Sequence, residues 1–237
     1  MTLPTATIFV DAAEWDTCAQ ALGGTSNTLL AGLAARLAQR MGRVAADGSA
    51  ILAIPVNDRA PGDTRANAIT GIDITVDPAP AATDLREIRA ATKQALIRRQ
   101  EAPDERFALL PIVPLLPKWL VRRMIRVAVG SASTGSSNLG AVSPAANRPD
   151  GTDADWFAIK MRYPSMTKAT MHHTGGLLNL LAGRTHEQVF VSVVAYQPGS
   201  SNEPLQQVIS HALGDFSLTC TTNWPRPEPV TAPDRRL

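Results

Sequence analysis

The segment Thr134-Gly135-Ser136-Ser137-Asn138-Leu139-Gly140-Ala141-Val142-Ser143 is built from short side chains, with four hydroxyls, two glycines and one asparagine in ten residues. Short side chains let the backbone come close to a neighbour or a ligand, while hydroxyl and amide groups supply hydrogen bonds. Such a stretch suits the wall of a site or, on composition alone, a polar loop between two elements. Its place in the chain gives it weight, because strands and helices alternate before it and further strands and a last helix follow it.

Upstream, Ala6-Thr7-Ile8-Phe9-Val10 is β-branched and apolar, a short strand, and Asp11 is placed to cap a helix from Ala12 towards Leu22 that Gly23-Gly24 stops. Thr25 or Ser26 opens the next helix, where Leu29, Leu30, Leu33, Leu37 and Met41 form an apolar stripe. Ile51 to Val56 reads as a buried strand expected to end near Pro55, since proline weakens a central ladder. Ile72 to Val76 alternates as a half-exposed strand does, and Asp84 and Glu87 open a helix closed by Arg98 and Arg99. Beyond Pro117, Lys118, Arg122 and Arg126 recur every four residues beside Trp119, Leu120 and Met124. That pattern fits first a surface helix with a wet basic face, with peripheral contact with an anionic membrane as the lesser alternative.

Downstream, Pro144 to Asp155 reads as an exposed loop and Trp156 to Tyr163 as a strand. Two apolar runs, Leu177 to Ala182 and Gln188 to Tyr196, flank Gly183-Arg184-Thr185-His186 as an antiparallel hairpin. Glu203-Pro204 then starts a helix with Leu205, Val208, Ile209 and Leu213 on one face. The order predicts an α/β (α+β) class: a mixed β-sheet with helices packed on it, one domain over residues 1–224 and a flexible tail over 225–237.

Composition narrows the function. Basic and acidic residues nearly balance, 23 against 21, aromatics are sparse, and no zinc-finger or RNA-binding spacing occurs, so nucleic acid is not an expected partner. Cys18 and Cys220 form no CxxC pair, so no metal or redox motif is predicted. The N-terminus lacks signal-peptide character and no apolar run is long enough to span a bilayer. A cytoplasmic protein, peripheral to a membrane at most, is expected.

The succession Asn27-Thr28-Leu29-Leu30-Ala31, Ile54-Pro55-Val56-Asn57-Asp58-Arg59, Ser137-Asn138-Leu139-Gly140, then Gly175-Gly176-Leu177 leading to Val191 to Tyr196 resembles the C-terminal half of bacterial wax ester synthase/diacylglycerol acyltransferases. That family is similar to the wider chloramphenicol acetyltransferase and condensation-domain fold. The resemblance runs over residues 6–218 and is carried by the order of short motifs, none specific alone. It implies two lobes meeting at a tunnel, with acyl-CoA or an acyl-carrier thioester as donor, a fatty alcohol or diacylglycerol as acceptor, and no cofactor. It places Ser137 and Asn138 near the lobe interface, as donors to an acyl carbonyl or oxyanion or as ties in a crossover strand. Asn57, Arg59 and Asn67 match the family's strand-end pattern more loosely, as substrate contacts, with Arg59 beside Asp58 in an ion pair or turn contact.

The family's catalytic signature, HHxxxDG, belongs to the first lobe, and this sequence corresponds to the second. His172-His173-Thr174-Gly175-Gly176 begins like that signature, but Leu177 and Leu178 stand where the aspartate and glycine would follow. These histidines therefore read as surface or edge-strand residues, and with no G-x-S-x-G elbow a serine hydrolase is not predicted. Two functions follow. One is a lobe of a CoA-dependent O-acyltransferase, inactive alone, completed by a partner lobe that brings the histidine. The other is a non-catalytic lipid-binding or scaffold protein that kept the fold and associates with itself.

Overall fold

The structure is a computed structural model describing residues 3–60, 62–65, 68–101, 115–117, 133–148, 150–163, 167–173, 175–197 and 202–222. Strand β1 (Thr5–Asp11) leads into α1 (Ala12–Ala21) and α2 (Ser26–Arg40), followed by β2 (Ala50–Asn57), β3 (Ile69–Val76) and α3 (Arg86–Glu101). After β4 (Thr134–Ala141) come a helical turn at Pro144–Asn147, a short helix at Lys168–His173, β5 (Leu177–Thr185), β6 (Gln188–Tyr196), α4 (Asn202–Gly214) and the two-residue β7 (Thr221–Thr222). The strands form one mixed sheet ordered β3-β2-β4-β5-β6-β1-β7. β4 runs parallel to β2 and to β5, and the other neighbours are antiparallel.

The small-residue segment is thus a strand in the middle of the sheet. Its ladder to β2 is brief, pairing Leu52 with Thr134 and Ala53 with Gly135. Beyond that point β2 keeps pairing with β3, through Pro55 opposite Gly71 to Asn57 opposite Ile69. The strand ends at Asn57, close to Pro55 as expected, and Pro55 is tolerated because past Ala53 β2 is an edge on its β4 side. The expected burial on both faces is corrected, since Ile51, Pro55 and Asn57 are exposed.

The core lies on one face of the sheet. Leu29, Leu30, Leu33 and Leu37 of α2 are at most 1% exposed and pack with Ile8, Val10, Leu180, Val191 and Val193. Each fully buried leucine of this kind contributes roughly 1.5–3 kcal/mol. The Asp11 carboxylate accepts from the N–H groups of Ala13 and Glu14, capping α1, and Thr25 and Thr28 cap α2 reciprocally. Helix α4 buries Leu205, Ile209 and Leu213, as its spacing predicts.

Just past α4, Asp215 accepts from Arg36 and Arg40 of α2 at 2.7 Å each. Partial burial raises the Asp215 carboxyl, but the bonds from Arg40 and Arg36 together hold it below its ordinary value. Its stabilising effect is present above the unfolded carboxylate value of about 3.9 and is lost as pH falls through the lower folded one. Asp215→Asn is expected to cost about 1 kcal/mol in urea unfolding at pH 7. The gap between parent and variant closes as the pH is taken below 4.

Two further expectations are corrected. Residues 156–163 join no ladder; they cross the sheet face opposite the helices, where Trp156 meets Phe9 edge-on at 4.8 Å and Phe157 meets Phe190 at 5.9 Å. Aromatic side chains that cover a sheet face gave the same apolar signal as a strand. The hairpin turn is His186-Glu187, not the four residues from Gly183, because β5 continues to Thr185 and His186 takes the left-handed turn conformation, φ 36°. The predicted basic helix with Lys118, Arg122 and Arg126, and the predicted tail at 225–237, lie outside the described residues. Among the described residues no helix is long and apolar enough to cross a membrane.

Candidate functional site

Where β2 and β4 part company, a cavity of about 280 Å³ opens beneath the first turns of α2. Its polar side comes from Asn27 and Thr28 of α2, Ser136 and Asn138 of β4, and Asn57 at the end of β2. Its apolar side comes from Leu30, Ile54, Val56, Ile72 and, on α3, Leu96. Among the described residues that line it, none carries a charge.

Strand geometry explains which β4 residues reach it. Side chains alternate between faces, so Thr134, Ser136 and Asn138 look towards α2 while Gly135 and Ser137 look the other way. Ser136 is 3% exposed and lines the cavity, whereas Ser137 is half-buried and does not. Asn138 lines it too, but its amide is already engaged. Nδ2 donates to Asn27 Oδ1 at 2.7 Å and to Ser26 Oγ at 3.3 Å, and Oδ1 accepts from the Gly140 N–H at 2.9 Å. A backbone N–H only donates, which fixes the orientation of this amide. Gly140, at φ 68°, makes the left-handed kink that brings its N–H round, and the β4–β5 register shifts there. Ser26 Oγ also accepts from Trp15 Nε1 at 2.9 Å, so a core tryptophan, the start of α2 and β4 share one network.

Among the described residues of this wall, Ser136 is the hydroxyl left for a ligand, since the Thr28 hydroxyl is taken by its own cap and the Thr92 hydroxyl donates to Ile88 O. Asn57 stands at the mouth, exposed, with Oδ1 accepting from Arg59 N. Arg59 is directed away, donating to Asp63 O at 3.1 Å; Asp58 faces Arg99 at 3.8 Å rather than Arg59. Asn67 lies outside the described residues. Of the residues named from the sequence, the structure brings Asn57 and Asn138 to one cavity and leaves Ser137 and Arg59 off it. Ser136, Asn27 and Leu96 were not foreseen as site residues; reading β4 as a strand would have picked Ser136, two residues before Asn138, over Ser137.

Other reactive groups stand apart. His172 lies on a short helix, exposed, with Nε2 3.2 Å from the Tyr196 hydroxyl. Burial, and secondarily the nearby Glu14 charge, raises the Cys18 and Cys220 thiols, which leaves them protonated and poorly nucleophilic at neutral pH. Among the described residues no cluster of histidine, cysteine or carboxylates could hold a metal.

A solved wax ester synthase/diacylglycerol acyltransferase from Marinobacter aquaeolei VT8 matches with a TM-score of 0.51 at 14% identity, over 90% of this chain and 48% of that one. The nonribosomal peptide synthetase FmoA3 matches with a TM-score of 0.51 at 15% identity, over 90% of this chain and 22% of that one. The fold is one lobe of the condensation-domain fold. The condensation-domain-like lobe spans about half the length or less of the solved proteins it matches. No family model matches its sequence, and no curated protein matches it at a significant level.

Proposed function

We propose that this condensation-domain-like lobe is the second half of a thioester-dependent O-acyltransferase, and that its cavity holds the acyl carbonyl. The observation that carries the reading is Ser136: a buried hydroxyl on the wall of a cavity whose described lining is uncharged and largely apolar, with Asn138 beside it tied down by α2. In the reaction an acceptor hydroxyl attacks the thioester carbonyl, the C–O bond forms, the C–S bond breaks, and the thiol leaves with the proton. The base that takes the acceptor proton is the histidine of an HHxxxDG lobe, supplied from outside the residues described. The role of this chain is to receive the carbonyl at Ser136 Oγ–H, with the Asn138 network keeping β4 and α2 in place. A preset donor in a water-poor site acts without reorganising when charge develops on oxygen. CoA as thiol and a fatty alcohol or diacylglycerol as acceptor are the substrates proposed, the partner lobe and a membrane-peripheral setting being part of the same reading.

The test combines the chain with a lobe bearing an intact HHxxxDG, acyl-CoA and either acceptor, and follows thiol release. Turnover that requires both chains, with kcat reduced about 10²-fold in Ser136→Ala, supports the reading. Ligand binding without turnover under any pairing would instead favour a lipid-binding scaffold.

A further inference from the structure

The far side of the cavity says which ligands fit. Opposite Ser136 the wall is hydrocarbon: Leu30 and Ile72, at 1% and 5% exposure, with Ile54 of β2 and Leu96 of α3. Leu96 and Thr92 lie four residues apart, so they present one face of α3 and line this end together. With no charged residue among the described residues of the lining, an ionised group buried against them would lack a partner, at a cost of several kcal/mol. A neutral carbonyl bearing an alkyl tail meets both walls, the carbonyl at Ser136 and the tail along the leucines and isoleucines.

Resting on the reading of Ser136 given above, we infer that the cavity selects uncharged acyl groups of short to medium length and that Leu96 sets the limit. At roughly 30 Å³ per small group, the volume a water takes in the liquid, about nine non-hydrogen atoms fill the space. The carbonyl and its leaving sulfur use part of that, leaving room for a tail of about six carbons. Each methylene buried before the tail meets α3 is worth about a fourfold gain in affinity, and the gain stops at the α3 wall.

The experiment is isothermal titration of the full chain with S-acyl N-acetylcysteamine thioesters, uncharged probes, in a series from two to twelve acyl carbons, with octanoate as the charged control. Affinity is expected to climb about fourfold per carbon and level off at ~7 acyl carbons, the carbonyl carbon plus the tail of about six. Octanoate is expected to bind at least tenfold more weakly than its thioester. Leu96→Ala should move the plateau about three carbons longer, the size of the atoms removed, and Leu96→Phe should move it shorter. Ile97→Ala, on the exposed side of α3, should leave it unchanged. Far-UV circular dichroism identifies folded variants, and the alanine and phenylalanine changes act in opposite directions, so one folded variant suffices. If the plateau stays put in the folded Leu96 variants while Ser136→Ala weakens the whole series, the length limit is overturned and the carbonyl site stands. Should no thioester bind the parent protein, both inferences fall together.

Discussion

Trp15→Ala is expected to lower the unfolding free energy by about 3–5 kcal/mol, a large share of the roughly 5–15 kcal/mol available to a domain. The side chain is fully buried against α2, so its removal leaves a cavity as well as losing the transfer energy of the ring. Trp15 Nε1–H also donates to Ser26 Oγ, and Ser26 in turn accepts from Asn138. Trp15→Phe keeps most of the bulk but removes that donor. It should cost about 1 kcal/mol through the lost hydrogen bond and, in addition, shift the Asn138 side-chain amide resonances. Urea unfolding and two-dimensional amide spectra give the two readouts. An unaltered Asn138 signal in a folded Trp15→Phe protein would mean that the core and the cavity wall are not coupled through Ser26.

The second large effect is at Gly135. A Cβ there would collide with the Asn179 amide, which lies against the glycine and accepts from its N–H at 3.1 Å. Asn179 also donates to the Tyr163 hydroxyl at 2.5 Å, which ties the covering segment to the sheet. Gly135→Ala is expected to destabilise by about 2–4 kcal/mol, combining an overpacked contact with a broken hydrogen bond. Because the next residue on β4 is Ser136, thioester affinity should fall as well. Adding Asn179→Ala makes room for the new methyl, so the double variant should be less destabilised than the two single changes added together. Strict additivity would place the cost elsewhere than in that contact.

Much of this fold was legible because its helices are strongly patterned. The leucine stripe of α2, the Asp11 and Thr25 caps and the Leu205, Ile209 and Leu213 face of α4 come from local rules that tertiary packing did not override. The hairpin β5–β6 was legible as two apolar runs, but not its turn, because a histidine occupies the left-handed position where glycine or asparagine would have signalled it. The stretch 156–163 misled because aromatic residues covering a sheet look like residues inside one. At the candidate site, Asn57 and Asn138 were reached through the family resemblance, the first by its strand-end pattern and the second by its Ser-Asn segment, and both line the cavity. Ser136 was hidden by its neighbour: two adjacent serines cannot be told apart until the strand assigns each a face. Asn27 and Leu96 were out of reach for a different reason, since only the pairing of β4 against β2 brings α2 and α3 to the same opening.

The two-pair ladder between β2 and β4 also bears on how the molecule opens and assembles. On one side of it β5, β6 and β1 are bound by long antiparallel ladders of nine and seven pairs; on the other, β2 and β3 form a hairpin-like unit of eight pairs carrying α3. Joining the halves closes the long chain segment between Ala53 and Thr134, an entropic cost met by few backbone bonds. That seam should form late and part first, so amides of β2 and β3 should exchange hydrogen through smaller openings than those of β5 and β6. A ligand lying across the seam, touching α3 on one side and β4 on the other, would slow that exchange and act as the missing rungs of the ladder.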